Sequence, residues 1–388
     1  MPFISAGDGD LKTAFVSDAW LLDRFVGNTL YGWGYNQSGE LGDNSTTNRS
    51  NPIQTITQNI NWSTVSAVDG MVAIKNDGTL WCWGYNFRGQ LGDNTTTNRS
   101  SPVQTVAFGN NWKQVSCGYN HKAAIKNDGT LWCWGDNFYG QLGNNTTTNR
   151  SSPVQTVAFG NNWKQVCCIS NSTAAIKTDG TLWIWGNNGG GELADNTITT
   201  RSSPVQTVAY GNNWKQVFGG STSFTYTAIK TDGTLWCWGN NQYGQLGDNS
   251  SVISRSSPVQ TVAFGTNWKT AACAGYHMTA IKTDGTLWAW GRNNNGQLGD
   301  NTITDRSSPV QTIAFGNNWK QTSCSTGFSA AIKNDGTLWC WGLGTSGQLG
   351  DNTATSKSSP VQTSASGKNW KQVACGRNIA TAVTNGDL

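Results

Sequence analysis

The chain has little charge. Only 12% of its 388 residues are Asp, Glu, Lys or Arg, about half the share usual in a soluble globular protein. A surface this poor in charge does not suit a solvent-laced helical bundle. The net charge of +4 is not gathered into a stripe or a basic tail, which argues against a nucleic-acid or anionic-membrane partner. Histidine is nearly absent, with only His121 and His277, and neither has a nucleophile or carboxylate partner recognisable in sequence, so no triad-type active site is legible. The start, MPFISAGDGDLKTAF, has no basic segment leading into an apolar run. It is therefore not read as a secretory signal. No stretch approaches 18 apolar residues, which leaves no candidate membrane-spanning helix. No Cys-x-x-Cys pair with metal spacing and no phosphate-binding glycine loop occurs; NNGGGE (187–192) matches nothing well.

In place of charge there are Gly, Asn, Thr, Ser and 21 Trp. So many aromatic residues exclude intrinsic disorder, whose chains are poor in them. Their placement is periodic. Trp-Gly recurs at Trp33, Trp83, Trp134, Trp185, Trp238, Trp290 and Trp341, at spacings of 50 to 53 residues. Asn-Trp recurs seven times, from Trp62 to Trp370, and seven of the eight prolines open one repeated segment.

One unit holds four strand candidates, A to D: WKQVSCG (112–118), HKAAIKN (121–127), TLWCWGDN (130–137) and PVQTVAF (153–159). Asp128-Gly129 supplies the hairpin between B and C. Pro153 has no N–H to donate, which suits the first residue of an outermost strand. Four short antiparallel strands repeated seven times predict an all-β, single closed seven-bladed β-propeller over residues 28–388. The C-terminus supplies strands A and B and stops, whereas residues 28–36 supply a strand C with no A or B before it. The last blade is thus expected to be completed by both chain ends, which removes a free sheet edge.

The units resemble the regulator of chromosome condensation repeat, whose pattern reads here Gly118-Tyr-Asn-His121 … Asp128-Gly129-Thr-Leu-Trp-Cys-Trp134-Gly135-Asp-Asn137-Phe-Tyr-Gly140-Gln141-Leu142-Gly143. The resemblance covers nearly the whole chain and implies the propeller fold. It leaves function open, because propellers of that family serve as nucleotide exchange factors, enzyme inhibitors and virion parts. The short blade spacing leaves no room for a large inserted loop of the exchange-factor kind. Residues 10–23, before the first blade, resemble the start of marine bacteriophage structural proteins that carry these repeats.

Residues 1–27 are read as an N-terminal arm, a docking arm or a lid, with Ser17 or Asp18 capping a short helix. Leu11, Phe15, Trp20, Leu22 and Phe25 are its candidate docking residues. The ten Cys follow the repeat and read as buried thiols. The loop cations Arg49, Arg99, Arg150, Arg201, Arg255, Arg306 and Lys357 read as pins to Asp43, Asp93, Asp195, Asp248, Asp300 or Asp351 of the same loop.

Identity among copies marks scaffold, so a site is sought where copies differ. The A–B turns and C–D loops are expected on one face, and the differences gather there. Phe87, Arg88, Phe138, Tyr139 and Tyr243 form the candidate partner-binding face, since aromatic residues and Arg favour interface hot spots. The first residue of each strand B also varies: Gly70, His121, Ser172, Thr225, His277, Phe328 and Ile379. The expectation is a non-enzymatic structural or recognition protein with no catalytic residue, cofactor or metal. The leading reading is a bacteriophage virion component, made in the cytoplasm, bound to other virion proteins or to a host surface protein or glycan, and multimeric through its arm. A soluble protein-binding regulator and a glycan-binding head are the alternatives.

Overall fold

The computed structural model describes residues 28–385, except 57–60, 69, 108, 158–159, 209–210, 221, 264, 314–315 and 366. The arm lies outside the described residues, and with it Leu11, Phe15, Trp20, Leu22 and Phe25. The described residues form 28 strands and no helix, so no helix is long and apolar enough to cross a membrane. The strands make seven four-stranded antiparallel sheets. Blades 1 to 6 occupy residues 62–104, 112–155, 163–206, 214–260, 268–311 and 319–362. Blade 7 joins β1 (Leu30–Gly34) and β2 (Arg49–Gln54) to β27 (Trp370–Cys375) and β28 (Ile379–Thr384), in the order β2-β1-β28-β27. The closure expected from the two ends is what the ring contains.

Strand D differs from the sequence expectation. In blade 2 it runs Arg150–Gln155, so Pro153 is its fourth residue rather than its first. Its ladder to strand C pairs Arg150 with Gly135 and Val154 with Cys133, and the register shifts between. The proline sits in that irregular stretch of an edge strand, where its missing N–H leaves no ladder bond unmade.

The G-Q-L-G segment explains why copies must be alike. The Trp134 indole N–H of blade 2 donates to the Gln90 carbonyl of blade 1 at 3.0 Å, and the same bond recurs at all seven seams, the last from Trp33 to Gln348. Gly92 has φ +66°, and a Cβ there would lie 2.9 Å from Trp134 Nε1. Glycine is therefore needed both for its left-handed backbone and for the approach of the next blade's indole. The Asn94 N–H then donates to the carbonyl of Ser151, also on blade 2, and this bond too is made seven times. Every blade thus grips the next through its C–D loop.

Strand A lines the central channel. There the Gln114 side-chain amide pairs with the Val166 backbone of the next blade, donating at 3.3 Å and accepting at 3.0 Å. Gln165, Gln321 and Gln372 repeat this. Thr64 and Thr270 stand in the same position of blades 1 and 5. The ten thiols are free and buried. Burial pushes Cys82, Cys133 and Cys375 well up, away from thiolate formation. On the hairpin side, Lys75 lies 5.2 Å from the Trp62 ring and 4.2 Å from the Trp81 ring. The sandwich recurs in blades 2 to 6, so the repeated Lys is held by its neighbours' π-faces.

The variation at the start of strand B has a different meaning from the one expected. His121, Ser172, Thr225, His277, Phe328 and Ile379 are all buried. Except for Thr225, whose hydroxyl donates to the Asn240 carbonyl of its own blade, they face the second residue of strand B in the next blade, and the pairs differ in chemistry and size from seam to seam. His121 meets Thr173, Ser172 meets Tyr226 and His277 meets Ser329 through hydrogen bonds. Phe328 shares a cluster with Ala380, and Ile379 shares one with Met71. Large faces small at most seams, so these positions key seven otherwise similar joints rather than forming part of an exposed face.

The partner position in blade 2 is Lys122, which is 0% exposed. Its Nζ has no hydrogen-bond partner among the described residues. A buried polar group without a partner is destabilising. Met71 and Met278 hold the same position in blades 1 and 5. Lys122→Met is expected to stabilise the ring by roughly 1–3 kcal/mol. Guanidinium unfolding would register this as a higher midpoint at unchanged slope, and a lower midpoint would show that the amine is satisfied in solution.

Candidate functional site

The A–B turns and C–D loops form one face, as expected. Six of the seven C–D loops are organised by the Asn of the N-x-x-G segment, and blade 6 has Gly344 in its place. Asn36 Nδ2 donates to Asp43 Oδ1 and to the carbonyls of Ser45 and Thr47, while its Oδ1 accepts from the Leu41 N–H. Arg49 closes the loop on Asp43 at 3.1 Å, and Arg99, Arg201, Arg255 and Arg306 do the same with Asp93, Asp195, Asp248 and Asp300. Burial alone would raise the Asp93 pKa, but hydrogen bonds from Thr95, Arg99 and Asn86 bring it below the ordinary carboxylate value. Blade 2 has Asn144 in place of the aspartate, and Lys357 makes no ion pair with Asp351 among the described residues. Pinning therefore operates in five of the seven loops.

The loop tips stand out from this fixed frame. Phe87 is 64% exposed and Phe138 71%. The Arg88 guanidinium lies 5.5 Å from the Phe87 ring, and Phe138 meets Tyr139 edge-on at 4.9 Å. No ring contact joins the two pairs among the described residues, so they are neighbouring patches on adjacent blades. Tyr243 belongs to a third patch that the sequence reading did not assemble. It packs on Tyr276 of blade 5 at 5.0 Å, and Arg292 lies 4.9 Å and 5.5 Å from the two rings. The A–B turns converge over the channel mouth. Arg377 donates to the Tyr119 hydroxyl at 3.1 Å, and the Thr326 hydroxyl donates to Thr222 at 2.9 Å.

Neither histidine is available on this face. His121 Nε2 lies 2.9 Å from Thr173 Oγ1, whose own proton goes to the Gln141 carbonyl. The imidazole must therefore donate through Nε2, which leaves Nδ1 as an unprotonated nitrogen with no partner. His277 repeats this with Ser329 and the Gln297 carbonyl. No group of three or more His, Cys, Asp or Glu able to hold a metal is assembled among the described residues.

A closed ring of seven four-stranded blades, each locked to the next through its C–D loop, belongs to the class of seven-bladed β-propellers. The chain matches the regulator of chromosome condensation (RCC1) repeat model at residues 77–125, 128–176, 232–281, 284–332 and 335–383. These segments cover more than half of it, and the chain belongs to that family. It is 30% identical over 249 residues to the ultraviolet-B receptor UVR8 of Arabidopsis thaliana, covering 63% of this chain and 56% of the receptor. It is 28% identical over 252 residues to the mitochondrial RCC1 domain-containing protein RUG3 of the same plant, covering 59% and 53%. The match thus spans about half the length of these curated relatives. The structure of Prp20p from Saccharomyces cerevisiae, described with its binding to Gsp1p and histones, superposes with a TM-score of 0.82 at 18% identity over 93% of this chain and 92% of Prp20p. That likeness establishes the fold.

Proposed function

We propose that this chain is a protein-binding propeller without chemistry of its own, which engages its partner through the A–B and C–D loop face. The observation that carries this is the contrast between a repeated, hydrogen-bonded loop frame and the exposed Phe87, Arg88 and Phe138 at its tips. Aromatic side chains, with only two rotatable bonds, lose little entropy on binding, and aromatic residues and Arg are the types enriched among interface anchors. The relatives support the regulator reading over the virion reading, since they include a receptor and a propeller described with its protein partners.

The test is affinity capture with quantitative mass spectrometry, followed by titration of the purified partner. Phe87→Ala with Phe138→Ala is expected to weaken binding by about 10- to 100-fold, in the range of hot-spot truncations, with unfolding unchanged. A partner that binds wild type and the double variant equally would remove this face from consideration.

A further inference from the structure

A cavity of about 460 Å³ opens on the loop face between blades 7, 1 and 2. Its walls differ from the same positions elsewhere in the ring. Tyr35 and Tyr85 stand two residues after the Trp of Trp-Gly, where the other five blades have Asp136, Asn187, Asn240, Arg292 and Leu343. Tyr119 comes from the A–B turn of blade 2. Glu40, like Glu192 of blade 3, replaces the glutamine found in five blades and is only 2% exposed.

The walls are held in place. The Tyr35 N–H donates to the Asn378 carbonyl at 2.9 Å, and Arg377 fixes the Tyr119 hydroxyl. The Ser38 N–H holds Glu40 Oε2 at 2.8 Å, and Gln90 Nε2 donates to Asn120 Oδ1 at 3.4 Å.

The geometry points to a seat for a neutral carbohydrate of one or two rings. Among the lining side chains one carboxylate and one guanidinium offset each other, so no net charge selects an anion or a cation. Three phenol rings provide flat apolar faces that suit the C–H face of a pyranose. Vicinal hydroxyls each donate and accept, and a carboxylate, an arginine and an asparagine amide around one small space supply both roles. A phosphorylated ligand would set its charge against Glu40. A purely aliphatic one would desolvate Arg377 and Asn120 without replacing their hydrogen bonds to water. The volume lies within the range of small-ligand pockets. Phe87 and Phe138 do not line the cavity, so this site is separate from the proposed protein-binding tips.

The test is saturation-transfer NMR of the full chain with free glucose, galactose, mannose, N-acetylglucosamine, lactose, maltose and cellobiose. At least one sugar is expected to bind wild type and to lose about tenfold or more in affinity, about 1.4 kcal/mol, in Tyr85→Ala and Tyr119→Ala. Tyr276→Ala, in the blade 5 turn, should bind as wild type. Should the alanine variants fail to fold, Glu40→Gln places the residue of five other blades at this position and is expected to show the same loss with an unchanged unfolding midpoint. Absence of any signal at about 10 mM sugar, beyond the weak end of specific affinity, overturns the proposal, as does a signal that survives all three substitutions. Either failure leaves the capture result for Phe87 and Phe138 intact.

Discussion

A chain shortened to residues 62–388 is expected to lose the closed ring and associate through its open edge, and a peptide of residues 28–54 is expected to restore it. The reason lies in blade 7. β1 pairs with β28 at five positions, from Leu30 with Val383 to Gly34 with Ile379. Without β1, β28 presents a full row of unpaired backbone groups, a template for another chain. Blade 6 loses its grip at the same time. Trp33 is fully buried and donates to Gln348, the Asn352 N–H donates to Ser50, and Gly350 closes against the Trp33 indole. Loss of one such buried Trp alone costs about 3–5 kcal/mol, and here a whole seam goes with it. Size-exclusion chromatography and tryptophan fluorescence would follow both the loss and the rescue in trans. A monomeric 62–388 fragment that unfolds cooperatively would refute the role given to the closing strands.

The ring is expected to weaken between pH 6.5 and about 4 in a way set by two side chains. Burial lowers the pKa of His121 and of His277 from 6.5 to about 3, and Lys122 adds to the effect at His121. In that window the unfolded chain takes up protons that the folded ring cannot. Their contribution is therefore fully present above pH 6.5, is lost as pH falls, and changes no further below about 3. At the limit each imidazole accounts for on the order of 5 kcal/mol. The loop aspartates, held below their usual value of 3.8, add their loss only at lower pH. Phe328 opposite Ala380 shows the apolar solution to the same joint. His277→Phe with Ser329→Ala, and His121→Phe with Thr173→Ala, should flatten the stability profile between pH 6.5 and 4 in denaturant titrations. An unchanged slope would mean that the imidazoles titrate freely.

The repeat was legible because its cause is local. Trp-Gly, Asp-Gly and G-Q-L-G each do the same task at every seam, so periodicity exposed the blades, their order of strands and the closure by both ends. Strand D starts three residues before the proline that marks it in the sequence, because an irregular register lets Arg-Ser-Ser precede it. The varying residues from Gly70 to Ile379 looked like a surface because strand B is buried along nearly its whole length and shows no alternation. Only the facing blade reveals what they contact. Phe87 and Phe138 stand exposed at the loop tips. The Tyr35, Tyr85 and Tyr119 cavity was missed because its walls come from three blades that ring closure alone brings together. A clue existed in Glu40, a carboxylate in a position otherwise held mostly by glutamine.

Both ends of the ring leave from the same end of one ladder, beside Leu30 and Val383. Tension applied between them would peel the five β1–β28 pairs one after another, as a zip opens, instead of shearing them together. Heat must break seams that are each locked by the next blade, whereas a pull on the termini meets only the pair at the front. Anchored at both ends, this ring would open at low force and in steps, with blade 7 first.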